Sequence, residues 1–435
     1  MKKRILYGLL GANIASVAIF WWNYSGHLLT VNPLLALGRL SGLLLALAAL
    51  FQVFLISRVA WVERYFGFDR MVRLHHISGY SISAFLLAHP ILLALGYGKL
   101  TGKGFWPQIF AFVNNFEDVF PATAAFFLFL AVIVLSIVIV RRRLAYEVWY
   151  FTHIFVYAAI ALSFPHQAAV GADLGRPAFL LYWYALYIFV FGNLLIFRFG
   201  LPVYRFLKHR FEVKLVTTEA PDIFSIYIGG RDMEKFRFKG GQFLKLRFLT
   251  KKIWKEEHPF SISARPNGEY VRVTIKALGD FTSAIRNIAP GTPVLIDGPH
   301  GLFTGAASRK DKTLFIAGGI GIAPIFPLLS EFAEKGKDIV LFYGNRAEAG
   351  TAFKKDIDIL AEKYSFRVHY AMSDDSSWAG AKGWIDLALI RGLAPDFLER
   401  EVYICGPELM RKSLENNLSA AGIQKRDIHY EDFSY

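Results

Sequence analysis

The chain has 435 residues, 54% of them hydrophobic, with a formal net charge of +14 and a single cysteine. That is too apolar for an ordinary soluble enzyme and too long for one domain. One cysteine excludes an intramolecular disulfide, a cysteine-based zinc site and an iron–sulfur centre, so any redox group is held by other residues.

Residues 1–210 carry only six acidic side chains, Glu63, Asp69, Glu117, Asp118, Glu147 and Asp173, whereas residues 211–435 have ordinary charge density. This divides the chain into a membrane half and a soluble half. Six apolar runs lie at about residues 5–22, 40–57, 75–97, 120–140, 146–164 and 178–197. Each has roughly 17–23 residues, enough to cross ~30 Å of hydrocarbon. The first follows Lys2, Lys3 and Arg4 without a convincing cleavage site and reads as a retained helix rather than a signal peptide. Basic clusters follow the second run (Arg58, Arg64, Arg70, Arg73), the fourth (Arg141, Arg142, Arg143) and the sixth (Arg198, Arg205, Lys208, Arg210). With six spans all of them, and the N-terminus, share one face, which is then cytoplasmic, and the soluble half lies on that side too. The excess positive charge is therefore a membrane signature, and without a nucleic-acid motif a nucleic-acid partner is not expected.

Ionisable groups inside a bilayer are costly and usually functional. The third run contains His75, His76 and His89, and the fifth contains His153 and His166. Separations of 14 and 13 residues give about 20 Å of rise along each helix. That layout suits two haems, one above the other, each clamped between two imidazoles. On an ideal helix His75 and His89 lie about 40° apart, and His76 and His89 about 140° apart, which selects His75. The same arithmetic sets His153 and His166 about 140° apart, unless Pro165 re-aims the last turn. The rival reading is a proton relay or interhelical hydrogen bonding in a transport protein with a fused nucleotide domain.

Residues 211–305 alternate over strand lengths with Gly, Pro and Asn between, as in a small antiparallel β-barrel. The string His258-Pro259-Phe260-Ser261-Ile262-Ser263 offers an aromatic ring, a hydroxyl and a basic side chain, the parts needed to stack a flavin, bond its edge and meet its phosphates. Gly279 and Thr282 of the following "LGDFTSA" suit phosphates, and Ile275 on the preceding strand is counted with this site. Residues 306–435 alternate strand and helix, as in a parallel sheet that binds ligand at its strand ends. The turn with Gly318, Gly319, Gly321 and Pro324 lets backbone amides approach a pyrophosphate, and Cys405-Gly406-Pro407 forms a second turn at a later strand end. Arg346, after the strand "DIVLFYGN", stands where a basic group meets a 2′-phosphate, so NADPH is expected over NADH.

These strings together resemble the NADPH oxidases and ferric reductases over nearly the whole chain. "HPFSIS", "AGGIGIAP" and "CGP" match the family's flavin and nucleotide strings, His75 and Gly79 its H-x-x-x-G, and "YEVWYFTHIF" the start of its haem-binding fifth span. The resemblance implies a six-helix dihaem bundle (residues 1–210), an FAD-binding β-barrel (211–305) and an NADPH-binding α/β domain (306–435). It implies haem ligation by His75, His89, His153 and His166. It implies Phe260 stacked on the isoalloxazine, Ser261 near N5, and His258 where related reductases often place an arginine. An aromatic near the C-terminus covers the other flavin face, with Phe433 the best match and Tyr435 its rival; Phe433, Cys405 and Ser261 are the expected catalytic residues. Family members often carry an aromatic between the haems; Ala159 stands there instead, with Tyr157 or Phe85 as substitutes. The expected activity is electron transfer from cytoplasmic NADPH, through FAD and two haems b, across the plasma membrane to dioxygen or a ferric chelate. The outer loops offer only a thin basic patch, Lys99, Lys103 and Arg176, which favours dioxygen. No calcium-binding loop is visible, and neither regulation nor an obligatory protein partner is expected.

Overall fold

The computed structural model describes residues 2–137, 143 and 146–431. It comprises two compact units, Met1–Phe66 with Arg70–Arg198, and Gly67–Asp69 with Phe199–Tyr435.

The first unit is helical: α1 (Lys2–Ser25), α2 (Pro33–Ile56), α3 (Phe68–Thr101), α4 (Val119–Ser136), α5 (Tyr146–Val170) and α6 (Pro177–Asn193). Among the described residues, five helical stretches are long and apolar enough to cross a membrane, Pro33–Ile56, Arg70–Thr101, Val119–Ser136, Val148–Val170 and Pro177–His209. The first apolar run is helical but is not among the five. The last continues past the end expected from composition, through a π-helical turn at Leu194–Gly200 into α7 (Leu201–His209). Pro202 does not stop it because it falls in the first turn of α7, where its missing N–H costs nothing. Arg141 and Arg142 lie outside the described residues.

Helix α2 begins cleanly because the Asn32 side chain accepts a hydrogen bond from the Leu35 amide (3.2 Å) and Pro33 follows it. It packs closely on α3 through small residues. A Cβ on Gly96 would lie 2.7 Å from the Leu35 nitrogen, and one on Gly38 would lie 2.8 Å from Leu93. Apolar side chains also face outward, with Leu181 72% and Ile188 73% exposed, as lipid contact demands. Between α3 and α4, where a plain loop was expected, Phe105–Asn115 forms a further helix that exposes Trp106 and Phe110.

The second unit begins with two three-stranded antiparallel sheets. Their strands are β1 (Glu212–Ala220), β2 (Ile223–Gly229), β3 (Phe243–Phe248), β4 (His258–Ser261), β5 (Tyr270–Lys276) and β6 (Val294–His300), in the orders β1-β2-β5 and β4-β3-β6. Alternate residues such as Phe224, Ile226, Leu244, Leu246, Val271 and Val273 form their shared core. Isolated bridges join Glu212 of β1 to Pro293 and Val273 of β5 to Ile262.

A six-stranded parallel sheet follows: β7 (Lys312–Gly318), β8 (Asp338–Asn345), β9 (Arg367–Met372), β10 (Ala381–Lys382), β11 (Glu401–Cys405) and β12 (Ile428–Glu431), in the order β10-β9-β8-β7-β11-β12. Helices α9 (Ile322–Glu334), α10 (Lys354–Tyr364), α11 (Leu387–Leu393) and α12 (Glu408–Ala420) accompany the sheet, α9 following β7 and α12 following β11; the short α8 (Asp280–Ile285) belongs to the preceding part. Leu314 to Ala317 and Val402 to Cys405 are fully buried, which is why these strands read as unbroken apolar runs. The segment entering β7 is pinned by buried Glu401. Its carboxylate accepts from His429 Nε2 (2.7 Å), Ser308 Oγ (2.8 Å) and the Arg309 amide (2.8 Å). Burial alone would push this carboxyl up, but the bonds from His429, Arg309 and Ser308 hold it down at about 2.

Candidate active site

In the helical unit α3 and α5 bring the histidines together in two pairs. His75 and His153 have ring centroids 6.1 Å apart, and His89 and His166 6.5 Å apart. A metal ion held at the usual metal–imidazole distance of about 2.0 Å from both rings sets their centroids roughly 6.3 Å apart. Spacing and donor type therefore fit an axial bis-imidazole iron at both levels. His76 lies beside His75, with centroids 6.3 Å apart, on its own helix. The azimuth that told against His166 does not keep it from His89; Pro165 lies inside α5 one residue before it and removes a helical hydrogen bond there.

One member of each pair is anchored through Nδ1, which leaves Nε2 for a ligand. His89 Nδ1 bonds the Gly38 carbonyl (2.8 Å). The ring fills the notch over Gly42, where a Cβ would come within 2.5 Å of His89 Cε1. His153 Nδ1 lies 3.2 Å from Ser136 Oγ, which accepts from Trp149 Nε1 (3.3 Å). The Trp149 ring lies 5.2 Å from that of His153. Gln52 donates to the His75 carbonyl (2.8 Å). Gly42, Ser136 and Trp149 were not anticipated, since only tertiary packing sets them beside the histidines. Ala159 is fully buried, and Tyr157 packs partly buried against the same core.

In the β-domain, the flavin string lies on β4, a short edge strand paired with β3. Ser261 Oγ is buried without a hydrogen-bond partner. Such an orphan is costly, and a flavin edge at this position would satisfy it, so this residue fits the cofactor. Phe260 stacks at 6.3 Å on Phe281, and the His258 ring lies 3.9 Å from the same side chain. His258 Nε2 also lies 3.2 Å from Glu256 Oε2, a carboxylate that opposes a phosphate beside the ring. Pro259 faces Lys245 in the β3–β4 ladder. Thr282 Oγ1 already accepts from the Leu278 and Gly279 amides (3.0 Å each) and donates to the Gly279 carbonyl. It shapes the turn, and Gly279 is open around its Cα. Ile275 is 3% exposed in the core, so its side chain is a wall of the domain rather than an open contact.

In the parallel sheet the chain runs from β7 outward to β10 and then returns to β11 on the other side, which makes β7–β11 the switch point where ligands bind. The two glycine turns meet there. A Cβ on Gly321 would lie 2.1 Å from the Cys405 carbonyl oxygen, and one on Gly406 3.0 Å from Gly318 Cα. Gly319 has φ +52°, the left-handed region glycine favours. Pro324 sits in the first turn of α9, and Pro407 immediately precedes α12. Cys405 is fully buried at the end of β11, behind Gly406. Arg346 follows β8, is 84% exposed, and has Nε 3.9 Å from Asp374 Oδ2. Phe433 and Tyr435 lie outside the described residues.

Three family models match successive parts of the chain. Residues 37–164 match the family described as "Ferric reductase like transmembrane component", residues 209–304 an "FAD-binding domain", and residues 315–416 an "Oxidoreductase NAD-binding domain". The glycine betaine monooxygenase reductase subunit of Pseudomonas aeruginosa strain UCBPP-PA14 is 29% identical over 210 residues, 46% of this chain and 57% of that protein. The ferredoxin reductase component of 3-ketosteroid-9-alpha-monooxygenase from Rhodococcus rhodochrous is 29% identical over 232 residues, 51% of this chain and 64% of that protein. The chain thus spans less than two thirds of the length of such relatives. The flavohem-like FAD/NAD binding domain of nitric oxide dioxygenase from Vibrio cholerae O1 biovar El Tor covers 51% of this chain and 96% of its own at 20% identity, with a TM-score of 0.46. Membrane helices joined to FAD- and NAD-binding domains define a transmembrane flavoprotein oxidoreductase. More narrowly, the chain has the domain architecture of the NADPH oxidase and ferric reductase type.

Proposed function

We propose that this chain moves electrons from a cytoplasmic nicotinamide dinucleotide to an acceptor on the far side of the plasma membrane. In this reading the β4 string holds FAD, and His75–His153 and His89–His166 hold two haems b in a six-span bundle. The observation that carries it is the two imidazole pairs, 6.1 and 6.5 Å apart, on apolar helices of a chain that also has flavin and nucleotide domains. Bound FAD takes up a hydride and bis-imidazole haem carries single electrons, so the residues supply binding, orientation and exclusion of side reactions. Ser261 offers its unpaired hydroxyl to the flavin edge, the touching glycine turns receive the pyrophosphate, and Gly38 and Ser136 fix the rings of His89 and His153.

If His89 and His166 both held the outer haem, they would leave no open position on the metal, and the group would supply electrons to an acceptor at its edge. Dioxygen needs only access to that edge, which favours superoxide as product. A ferric chelate is the second reading, supported by the description of the family that matches residues 37–164.

Two measurements test these readings. The purified protein should contain two haems b per FAD by pyridine haemochrome. His89→Ala should lose one haem, and His76→Ala should keep both. A single haem in the intact protein, or haem loss from the His76 variant, overturns the ligand assignment. For the acceptor, cytochrome c reduction driven by the nucleotide should be suppressed by superoxide dismutase. Dismutase-insensitive reduction, with rapid anaerobic reduction of a ferric chelate, selects the second reading.

A further inference from the structure

We infer that the nucleotide site prefers NADH to NADPH and that Asp374 sets the preference. The inference rests on the proposal that the sheet of β7 to β12 binds a nicotinamide dinucleotide, and it revises the expectation drawn from Arg346 alone.

The fold decides where the adenosine ribose must lie. The pyrophosphate belongs at the Gly318–Gly321 turn, the strand-to-helix turn at the switch point. In such folds the residue that reads the adenosine ribose follows the glycine turn by about 20 residues, which places the adenosine end over the carboxyl ends of β8 and its neighbour β9. Asn345 pairs with Met372 at those ends. The pairing continues beyond the strands, with the Ser373 amide donating to the Asn345 carbonyl (3.0 Å) and the Asp374 amide to the Arg346 carbonyl (2.8 Å). Arg346 and Asp374 are thereby held as neighbours on one edge. Asn345 Nδ2 and Ser373 Oγ, at the same strand ends, are buried without a hydrogen-bond partner, which leaves polar atoms there for a ligand.

The charges on this edge then discriminate. Asp374 is 62% exposed and its partner is Arg346, at 3.9 Å. Its carboxylate can accept from ribose hydroxyls, the device by which an acid selects NADH. Asp375 is committed to its own loop, accepting from the Ser377 amide (3.1 Å), the Ser377 hydroxyl (2.5 Å) and the Glu348 amide (3.3 Å), but it keeps its charge. Lys382 is nearby, donating to the Ser376 carbonyl (2.9 Å). Arg346, Lys354 and Lys382 stand beside Glu348, Asp374 and Asp375, with Lys354 3.5 Å from Glu348, so three cations meet three anions and neither sign is in surplus. A 2′-phosphate brings close to two further negative charges to an edge with no surplus cation, where the Asp374 carboxylate already stands. Arg346, 84% exposed, can meet it through its terminal nitrogens, but Asp374 then stands beside the phosphate as a like charge. Specificity here comes from repulsion of the wrong ligand as much as attraction of the right one.

The test is anaerobic stopped-flow reduction of the flavin in the full-length, detergent-solubilised protein by each nucleotide. The expected second-order rate with NADH exceeds that with NADPH by ~10-fold or more, the scale of one like-charge contact at a partly exposed site. Asp374→Asn keeps the shape and removes the charge. It should raise the NADPH rate several-fold and lower the NADH rate, so that the ratio of the NADH rate to the NADPH rate falls. Asp374→Ser should shift the ratio in the same direction, which separates charge from any effect peculiar to the amide. Equal or better use of NADPH by the unaltered protein, or an unchanged ratio in both variants, overturns the inference. If neither nucleotide reduces a flavin that dithionite does reduce, the nucleotide-site reading itself fails, and the preference with it.

Discussion

His153→Ala should cut reduction of any acceptor on the far side by more than ~100-fold, since loss of an outer-shell partner alone costs 10–100-fold and this change removes a proposed haem ligand. Flavin reduction by the nucleotide should continue at its ordinary rate. The split follows from where the residue stands. His153 faces His75 at 6.1 Å on the apolar helices, whereas the flavin string and glycine turns belong to the other unit. Stopped-flow absorbance distinguishes the steps, because flavin bleaching and haem reduction have separate bands. Ser136→Ala is the graded control. It removes the hydroxyl 3.2 Å from His153 Nδ1, so the haem should stay bound with altered electron paramagnetic resonance g values and a slower flavin-to-haem step. Two haems and full acceptor reduction in His153→Ala would sink the inner-ligand assignment. Loss of flavin reduction in the same variant would show a folding defect instead.

What the sequence made legible follows from how local each signal is. The glycine turns were readable because their constraints are met within a few residues of a strand end, and parallel strands buried on both faces leave unbroken apolar runs. The histidine pairs were readable by depth, since rise along a helix depends only on residue count. Azimuth was not, because it depends on how α5 accommodates Pro165. Helix ends were missed for a similar reason. Apolar composition stops near residue 197, but the backbone continues through a π-turn to His209. Arg346 was visible as a basic residue after a strand. Its neighbour Asp374 lies 28 residues further along the chain and reaches it only through the β8–β9 register. The hydroxyl of Thr282 was legible as a phosphate partner by type, but the turn it caps already uses it.

Gly321→Val should lower nucleotide-driven flavin reduction by ~100-fold, the cost of misplacing a binding element by about 1 Å. Haem content should stay unchanged. The Gly321 backbone has an ordinary helical φ of −59°, so the residue is glycine for space alone. A Cβ there would lie 2.1 Å from the Cys405 carbonyl oxygen, 2.4 Å from its carbon and 2.7 Å from the Gly406 nitrogen. All three are backbone atoms and cannot rotate away. The two turns must part by more than 1 Å to restore ordinary contact. The strands behind them cannot give, since Ala317 and Cys405 are fully buried in register at the sheet centre and close-packed interiors transmit strain. The displacement therefore falls on the turn proposed to receive the pyrophosphate. Gly279, in the expected phosphate turn of the flavin domain, supplies the contrast. Nothing lies within 4 Å of a Cβ there and its φ of −155° is extended, so Gly279→Ala should change the rate by less than about twofold. Dithionite should reduce flavin and haem normally in both variants. A Gly321→Val protein that accepts electrons from the nucleotide at the ordinary rate would remove the contact of the two turns from the account of the site.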